Sequence, residues 1–145
     1  MAEAKMATFE TEVDKKEGME CEVKMRDFSL TIDEPKNLGG TNKGPNPVEV
    51  LLGSLGGCLS ITGEVVAKEM DLDLENFNLK IEGDLDPRGF QGTADVPAGF
   101  QDIRVKIDEI EGVPEKKMDE FVEKIQKRCP IEDTLKRKLE VQIER

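Results

Sequence analysis

The chain has 145 residues, which is the usual size of one domain with a single core. Its 21 basic and 32 acidic residues give a net charge of −11, and the two signs alternate along the sequence. No basic face is therefore predicted that could neutralise phosphates, and with six Phe, no Tyr and no Trp there are few rings for base stacking, so we expect no nucleic-acid binding.

Histidine is absent from the sequence, which excludes Ser-His-Asp and Cys-His catalysis and histidine-ligated zinc. The chemistry that remains is that of cysteine and carboxylate groups. The three cysteines, Cys21, Cys58 and Cys129, are widely spaced, contain no CxxC pair and are too few for an all-cysteine zinc site. We therefore expect neither a metal nor another cofactor.

The N-terminal residues MAEAKMATFETEVDKKEG contain no hydrophobic signal region, so we expect a cytoplasmic protein whose thiols start reduced. Any disulfide would then be transient. The least charged stretch, Val50–Gly63, has 14 residues, fewer than the roughly 20 that a membrane span needs. We expect it to form a core helix that makes no contact with a membrane.

Alternation of apolar and polar residues predicts three antiparallel strands near the N-terminus. Their alternating positions are Phe9, Thr11 and Val13, then Val23 and Met25, then Phe28, Leu30 and Ile32. Residues 33–45 follow, with three Gly and two Pro, and this composition predicts a long loop.

A long helix is predicted from the N-cap Asn46 to about Met70, with Pro47 at its first position and Glu49 at the third, where a capping carboxylate belongs. One stripe of this helix consists of small residues: Gly53, Gly56, Ser60, Gly63 and Ala67. Each interior glycine costs about 1 kcal/mol relative to alanine. The stripe therefore predicts a closely packed partner, either another helix or a symmetry mate.

Two further strands are predicted after this helix, the first at Phe77, Leu79 and Ile81, the second at Ile103, Val105 and Ile107. The residues between them, 86–99, contain three Gly and two Pro and should form a mobile loop or a wide hairpin connection.

A second helix is predicted to begin at Pro114, and its apolar face carries Met118, Phe121, Val122, Ile125 and Cys129. Because a residue before proline disfavours the helical region, Cys129 should lie at a break, with Pro130 as the first residue of a short helix. Leu139, Val141 and Ile143 predict a last strand. No internal repeat or domain boundary is apparent, so residues 1–145 are predicted to form one domain.

Cys58 and Cys129 lie on the predicted apolar faces of two different helices. Two such thiols can form a disulfide if their α-carbons come within about 7 Å, although a free cysteine is more often a small buried hydrophobe. If Cys129 is an N-cap, the free amides of the short helix would favour its thiolate. Cys21 follows an acidic run that discourages the thiolate, and we interpret it as structural.

Two stretches resemble the signatures of the OsmC-like family of osmotically induced and organic hydroperoxide resistance proteins. They are GPNPVEVLLGSLGGC, residues 44–58, and RCPIEDTL, residues 128–135. The preceding DEPKNLGGTNKGPNP resembles a loop found in the less-studied branches of that family. The combination of Asn-Pro, the step from Asn46 to Cys58 and a distant Arg-Cys-Pro is fairly specific, because each alone would occur often by chance.

The resemblance implies an α+β fold in which antiparallel sheets wrap around two long central helices of an intertwined homodimer. It also implies that Cys58 is the peroxidatic thiol and Cys129 the resolving thiol. The Cys58 thiolate would attack an organic hydroperoxide, become a sulfenic acid and condense with Cys129 to a disulfide that an external dithiol reduces. The implied activity is that of a peroxiredoxin-like hydroperoxide reductase in oxidative stress defence.

Two positions depart from the well-known reductases of the family. Val48 stands where they carry a glutamate, and Glu49 falls one position later. Thr31 aligns with their activating arginine in one branch, so we expect Arg26 or Arg88 to approach the thiol instead, supplied by a partner subunit. The alternative function is a dimeric redox-sensing or small-apolar-ligand-binding protein without efficient turnover.

Overall fold

The computed structural model describes residues 3–145 and has an α+β architecture, as expected. Its strands and α-helices in chain order are β1 Glu12–Lys15, β2 Cys21–Met25, β3 Phe28–Ile32, α1 Pro47–Glu69, β4 Leu79–Leu85, α2 Pro87–Gln91, β5 Phe100–Ile107, α3 Glu115–Arg128 and α4 Pro130–Lys136. The chain divides into two compact units, Met1–Val50 and Leu51–Arg145, and α1 begins in the first and continues through the second.

The first unit contains a three-stranded antiparallel sheet in the order β1-β2-β3, which confirms the three predicted strands. The predicted start of the first strand was wrong, because β1 begins at Glu12 and not near Phe9. Glu12 pairs with Lys24, and β2 ends one residue later at Met25. No residue of β2 is therefore left for Phe9 to pair with, and its side chain is 92% exposed.

The predicted loop over residues 33–45 is confirmed, and it contains one 3₁₀ turn at Lys36–Leu38. It is organised around Asp33, whose carboxylate accepts hydrogen bonds from the Thr41 hydroxyl at 2.6 Å and from the amides of Glu34 and Lys43 at 2.8 and 3.2 Å. These bonds lower the pKa of Asp33 to about 2 although the side chain is buried, and the bond from the Thr41 hydroxyl contributes most.

The start of α1 is the predicted capping box. The Asn46 side chain accepts a hydrogen bond from the Glu49 amide at 2.9 Å, and the Glu49 carboxylate accepts one from the Asn46 amide at 3.1 Å. By length and composition alone, α1 is long and apolar enough to cross a membrane. Core helices of globular proteins often meet the same criterion.

In the second unit, β4 and β5 form an antiparallel hairpin in which Ile81 pairs with Val105. The connection between them contains the short helix α2, which the sequence did not predict and which is capped by the Asp86 side chain. β4 begins at Leu79 and not at Phe77, because Phe77 packs edge-to-face on Phe121 with ring centroids 5.7 Å apart.

Two apolar clusters fill the second unit. The first is formed by buried residues of α1 and α3 and contains Val66, Ala67, Met70, Met118, Phe121 and Ile125. The second contains Leu55, Leu59 and Cys129, with Cys58, Leu79, Ile81, Ile103, Val105 and Ile131 packed against them. Packing of apolar side chains thus holds the hairpin and the helices together.

The small-residue stripe of α1 meets two kinds of neighbour. A Cβ at Gly63 would lie 3.4 Å from the Phe121 ring, so at this position the predicted helix partner is α3. At Gly56 the expectation of a helix or a symmetry mate was wrong, because a Cβ there would lie 2.6 Å from Ile81 Cδ1 of β4. A strand of the same chain occupies that space.

The predicted last strand is absent from the structure, in which residues 137–145 have no regular secondary structure. Leu139, Val141 and Ile143 are 61%, 77% and 91% exposed. A strand forms only when a neighbouring strand satisfies its amides and carbonyls, and within residues 3–145 no strand pairs with this segment.

Candidate active site

Cys58 lies in the middle of α1 and is half-buried, with a free thiol that packs against the second apolar cluster. Leu55 and Leu59, on the same side of the helix, are almost completely buried in that cluster. The spacing of these residues along α1 therefore turns Cys58 partly towards the core and leaves part of it accessible.

Cys129 belongs to the same cluster and is completely buried, also as a free thiol. Its backbone is extended, with φ −79° and ψ 111°, and it separates α3 from α4, which begins at Pro130. This confirms the predicted break before proline. Cys129 is the N-cap of α4, and its sulfur accepts a hydrogen bond from the Glu132 amide at 3.4 Å.

The two thiols interact with each other. Burial raises the pKa of Cys129, and hydrogen bonding and charge interaction with the Cys58 thiol raise it further. The amides of Glu132 and Ile131 lower the pKa of Cys129, but by less than burial raises it. The amides of the short helix thus favour a thiolate at Cys129 as expected, but removal from water outweighs them and the pKa is raised.

Four arginines, including the two considered from the sequence, Arg26 and Arg88, have partners other than a thiol. The Arg88 guanidinium binds Asp86 at 2.6 Å, and Arg128 binds Glu69 of α1 at 2.7 Å. Arg104 forms ion pairs with Glu82, Asp84 and Asp102. In the first unit, Arg26 lies over the Phe28 ring, 5.1 Å from its centroid. Activation of Cys58 by Arg26 or Arg88 of a partner subunit stays a prediction.

The remaining residues considered from the sequence belong to the first unit. Glu49 has the capping role described above, and Val48 is at the second position of α1. Cys21 is the first residue of β2, where it pairs with Lys15 and Ile32. In the part of the chain that the structure describes, no group of three or more carboxylates and thiols is arranged to hold a metal ion.

Glu132 is a residue that the sequence analysis did not single out. Its side chain is 13% exposed, and Oε1 forms an ion pair with Lys136 Nζ at 2.7 Å and accepts a hydrogen bond from Gln126 Nε2 at 3.2 Å. Oε2 is buried and, among residues 3–145, has no hydrogen-bond partner. The sequence did carry one signal for Glu132: it lies three residues after Cys129, the spacing typical of a capping box.

A cavity of about 280 Å³ opens beside this cluster. Its walls include Leu55, Ile103, Val105, Glu132, Leu135 and Lys136. Three of these residues also pack around Cys129 or belong to its cluster, so the cavity lies next to the buried thiol.

Residues 40–144 match the family model described as OsmC-like protein. The chain belongs to the OsmC-like protein family. The match extends through both thiols and through residues 139–143. No curated protein sequence is significantly similar to the chain.

Solved structures of OsmC-like proteins share its fold. The OsmC-like protein from Mycoplasma pneumoniae is 22% identical, with 90% of this chain and 88% of that chain covered and a TM-score of 0.75. An organic hydroperoxide resistance protein OsmC from Legionella pneumophila is 22% identical, with 90% and 91% covered and a TM-score of 0.65. One from Elizabethkingia anophelis, with thiocyanate bound, is 18% identical, with 90% and 89% covered and a TM-score of 0.63.

Proposed function

We propose that this OsmC-like protein reduces organic hydroperoxides with Cys58 as the peroxidatic thiol and Cys129 as the resolving thiol. The observation that carries the proposal is the pair of free, interacting thiols in one apolar cluster, one half-buried and the other completely buried. Solved structures of the same fold include proteins named for organic hydroperoxide resistance, which supports it.

The unequal burial supports the proposed order of the two thiols. A peroxide from solvent reaches Cys58 first, and the raised pKa of Cys129 keeps that thiol protonated while Cys58 reacts. Attack of the Cys58 thiolate on the terminal peroxide oxygen breaks the O–O bond, leaves a sulfenic acid and releases an alcohol. Cys129 then attacks the Cys58 sulfur, water departs, and an external dithiol reduces the disulfide.

The apolar surroundings favour an alkyl hydroperoxide over hydrogen peroxide. Leu55, Leu59 and Ile131 line the cluster next to the thiols, and a hydrocarbon tail buried there gains about 25 cal/mol per Å² of surface removed from water. Hydrogen peroxide has no such surface to bury.

One equivalent of cumene hydroperoxide added to the reduced protein tests the proposal. Two thiols per chain should be consumed, and mass spectrometry of the digest should show a Cys58–Cys129 peptide pair with Cys21 free. Cys129→Ser should stop at sulfenic acid and over-oxidise with excess peroxide. Cys58→Ser should be inert, and Cys21→Ser is the matched control that should behave like the parent.

We also propose that the working unit is a homodimer. On α1, Ile61 is 71% exposed, Val65 46% and Leu51 38%, so one side of this long helix is apolar and uncovered. Residues 139–143 alternate between apolar and polar side chains as a strand does, but no strand of residues 3–145 pairs with them. A second copy could cover the helix and pair with this segment. Sedimentation at micromolar concentration should give about 32 kDa, twice the mass of one chain, and a monomer would contradict this proposal.

A specific observation favours the alternative function, a dimeric redox sensor or binding protein for a small apolar ligand. The four arginines described above are bound to carboxylates or to an aromatic ring, and the usual glutamate is replaced by Val48. Slow reaction with both cumene hydroperoxide and hydrogen peroxide, together with no linked peptide, would support this alternative.

A further inference from the structure

The thiol proton of Cys129 has no direct route to solvent. Cys129 is completely buried, and burial raises its pKa, so it enters the resolving step as a thiol. When its sulfur attacks Cys58, that proton must pass to another group inside the protein. A buried acceptor that also reaches the surface would solve this problem.

Glu132 meets both requirements. Its amide lies 3.4 Å from the Cys129 sulfur, so the residue is a direct neighbour of the thiol. Oε2 is buried without a partner, whereas Oε1 is bound by Lys136, whose side chain is 62% exposed. Glu132 and Lys136 both line the cavity of about 280 Å³. One carboxylate thus extends from the buried cluster to an open cavity.

Helix capping does not account for this arrangement. Glu49 occupies the same third position in α1, and its carboxylate accepts the amide of the N-cap residue Asn46. Glu132 makes no such bond, and Oε2 is left without any partner in residues 3–145. A buried carboxylate oxygen that lacks a hydrogen bond is costly, so its retention calls for another explanation.

We propose that Glu132 accepts the proton of Cys129 in the resolving step and passes it towards the cavity. The inference rests on the proposed roles of Cys58 and Cys129. As the new S–S bond forms, the sulfur of Cys129 loses electron density and its proton becomes acidic, so an ordinary carboxylate suffices as the base. The proton moves to Oε2 and on to solvent in the cavity, while the hydroxide that leaves the half-buried Cys58 takes up a proton from solvent and departs as water. Overall, the sulfenic acid and the thiol become one disulfide and one water molecule.

The groups that contact this carboxylate come from two elements of the second unit. They are Gln126 of α3 and Lys136 of α4, and Asp102 of β5 lines the same cavity. In the reduced chain neither thiol donates to Oε2, and catalytic hydrogen bonds of this kind often shorten only in the reacting state.

The test uses a mixed disulfide and so needs no peroxide. Dithiobis-nitrobenzoate is added to the full-length Cys21→Ser protein in a stopped-flow instrument. A first release of thionitrobenzoate reports labelling of Cys58, and a second reports attack by Cys129. In Glu132→Gln, we expect an unchanged first phase and a second phase about a hundredfold slower at neutral pH. Cys129→Ser should lack the second phase.

The pH profile separates proton transfer from a structural effect. Without the carboxylate, only thiolate already present at Cys129 can attack, so the second phase of Glu132→Gln should rise about tenfold per pH unit below the Cys129 pKa. The parent should show a much shallower profile. Glu132→Asp, which retains the charge on a shorter arm, should recover part of the rate.

A neighbouring substitution is the matched control. Asp133→Asn removes the adjacent carboxylate of α4, which is paired with Arg137, and keeps Glu132. It should leave the second phase within about threefold of the parent. A Glu132→Gln rate equal to the parent, or equal slowing in Asp133→Asn, would overturn the inference. Failure to reduce cumene hydroperoxide alongside a normal Glu132 effect would overturn only the proposed reductase.

Discussion

The two compact units are stabilised in opposite ways. Among residues 3–145, all nine buried apolar residues lie in the second unit, Leu51–Arg145, where they form two clusters. In the first unit, the one buried residue among positions 3–50 is Asp33, a charged group that organises a loop by hydrogen bonds. Phe9, Val13 and Phe28 of the first unit are 92%, 60% and 62% exposed.

The difference shows that the second unit has a core of its own, whereas the first has no completely buried apolar side chain among positions 3–50 and leaves several apolar side chains exposed. Exposed apolar surface of this kind marks interaction sites in proteins. The proposed homodimer would give that surface a function. Substitutions in each unit can test how far the contrast holds.

The largest effect is expected for a pair of phenylalanines. Phe121→Ala removes a completely buried ring from the first apolar cluster and should lower the free energy of unfolding by about 3–5 kcal/mol. Phe28→Ala removes an exposed ring and should change it by less than about 0.5 kcal/mol. Urea unfolding of both variants measures the contrast. A similar cost for Phe28→Ala would mean that its ring is covered in solution.

The next effect concerns the close contact between α1 and β4. Gly56→Leu should destabilise the second unit by about 1–3 kcal/mol or more, because even a Cβ would lie 2.6 Å from Ile81 Cδ1. Ile81→Ala in the same chain vacates that space, so the double variant should be more stable than the sum of the two single costs predicts. Strict additivity in thermal unfolding would show that the two residues do not share this space.

A pH-dependent effect is expected in the first unit. The pKa of Asp33 is about 2 in the folded chain and 3.8 ordinarily, so its contribution is fully present above about pH 4 and is lost as the pH falls towards 2. Asp33→Asn should therefore lower the melting temperature near neutral pH, and the gap to the parent should narrow in acid.

The matched control for that experiment is Asp27→Asn, an exposed aspartate in the turn between β2 and β3. Its difference from the parent should be small over the same pH range. A gap for Asp33→Asn that does not narrow in acid would show that the carboxylate charge is not what stabilises the loop.

The smallest effect concerns the start of α1. Asn46→Ala removes one half of the capping box and should cost about 1 kcal/mol. Asn46→Asp, which can still accept the Glu49 amide, should cost less. Chemical denaturation distinguishes them, and equal stability of Asn46→Ala and the parent would show that the cap contributes little.

Local sequence signals predicted the elements that local physics controls. Asn46, Pro47 and Glu49 predicted the start of α1, and Cys129 and Pro130 predicted the break between α3 and α4, because capping and the restriction before proline act within a few residues. The same spacing rules placed Cys58 and Cys129 on apolar helix faces. The family resemblance then provided their expected roles and the fold.

Tertiary structure decided what depends on partners distant in the sequence. Leu139, Val141 and Ile143 have the alternation of a strand, yet no strand of residues 3–145 pairs with them. Ile81 fills the space beside Gly56, and Glu132 Oε2 is buried without a partner. The pKa of Cys129 rises because desolvation by the whole cluster exceeds the contribution of two nearby amides. Pairing, close packing and desolvation all depend on which distant side chains meet, and periodicity along one segment does not contain that information.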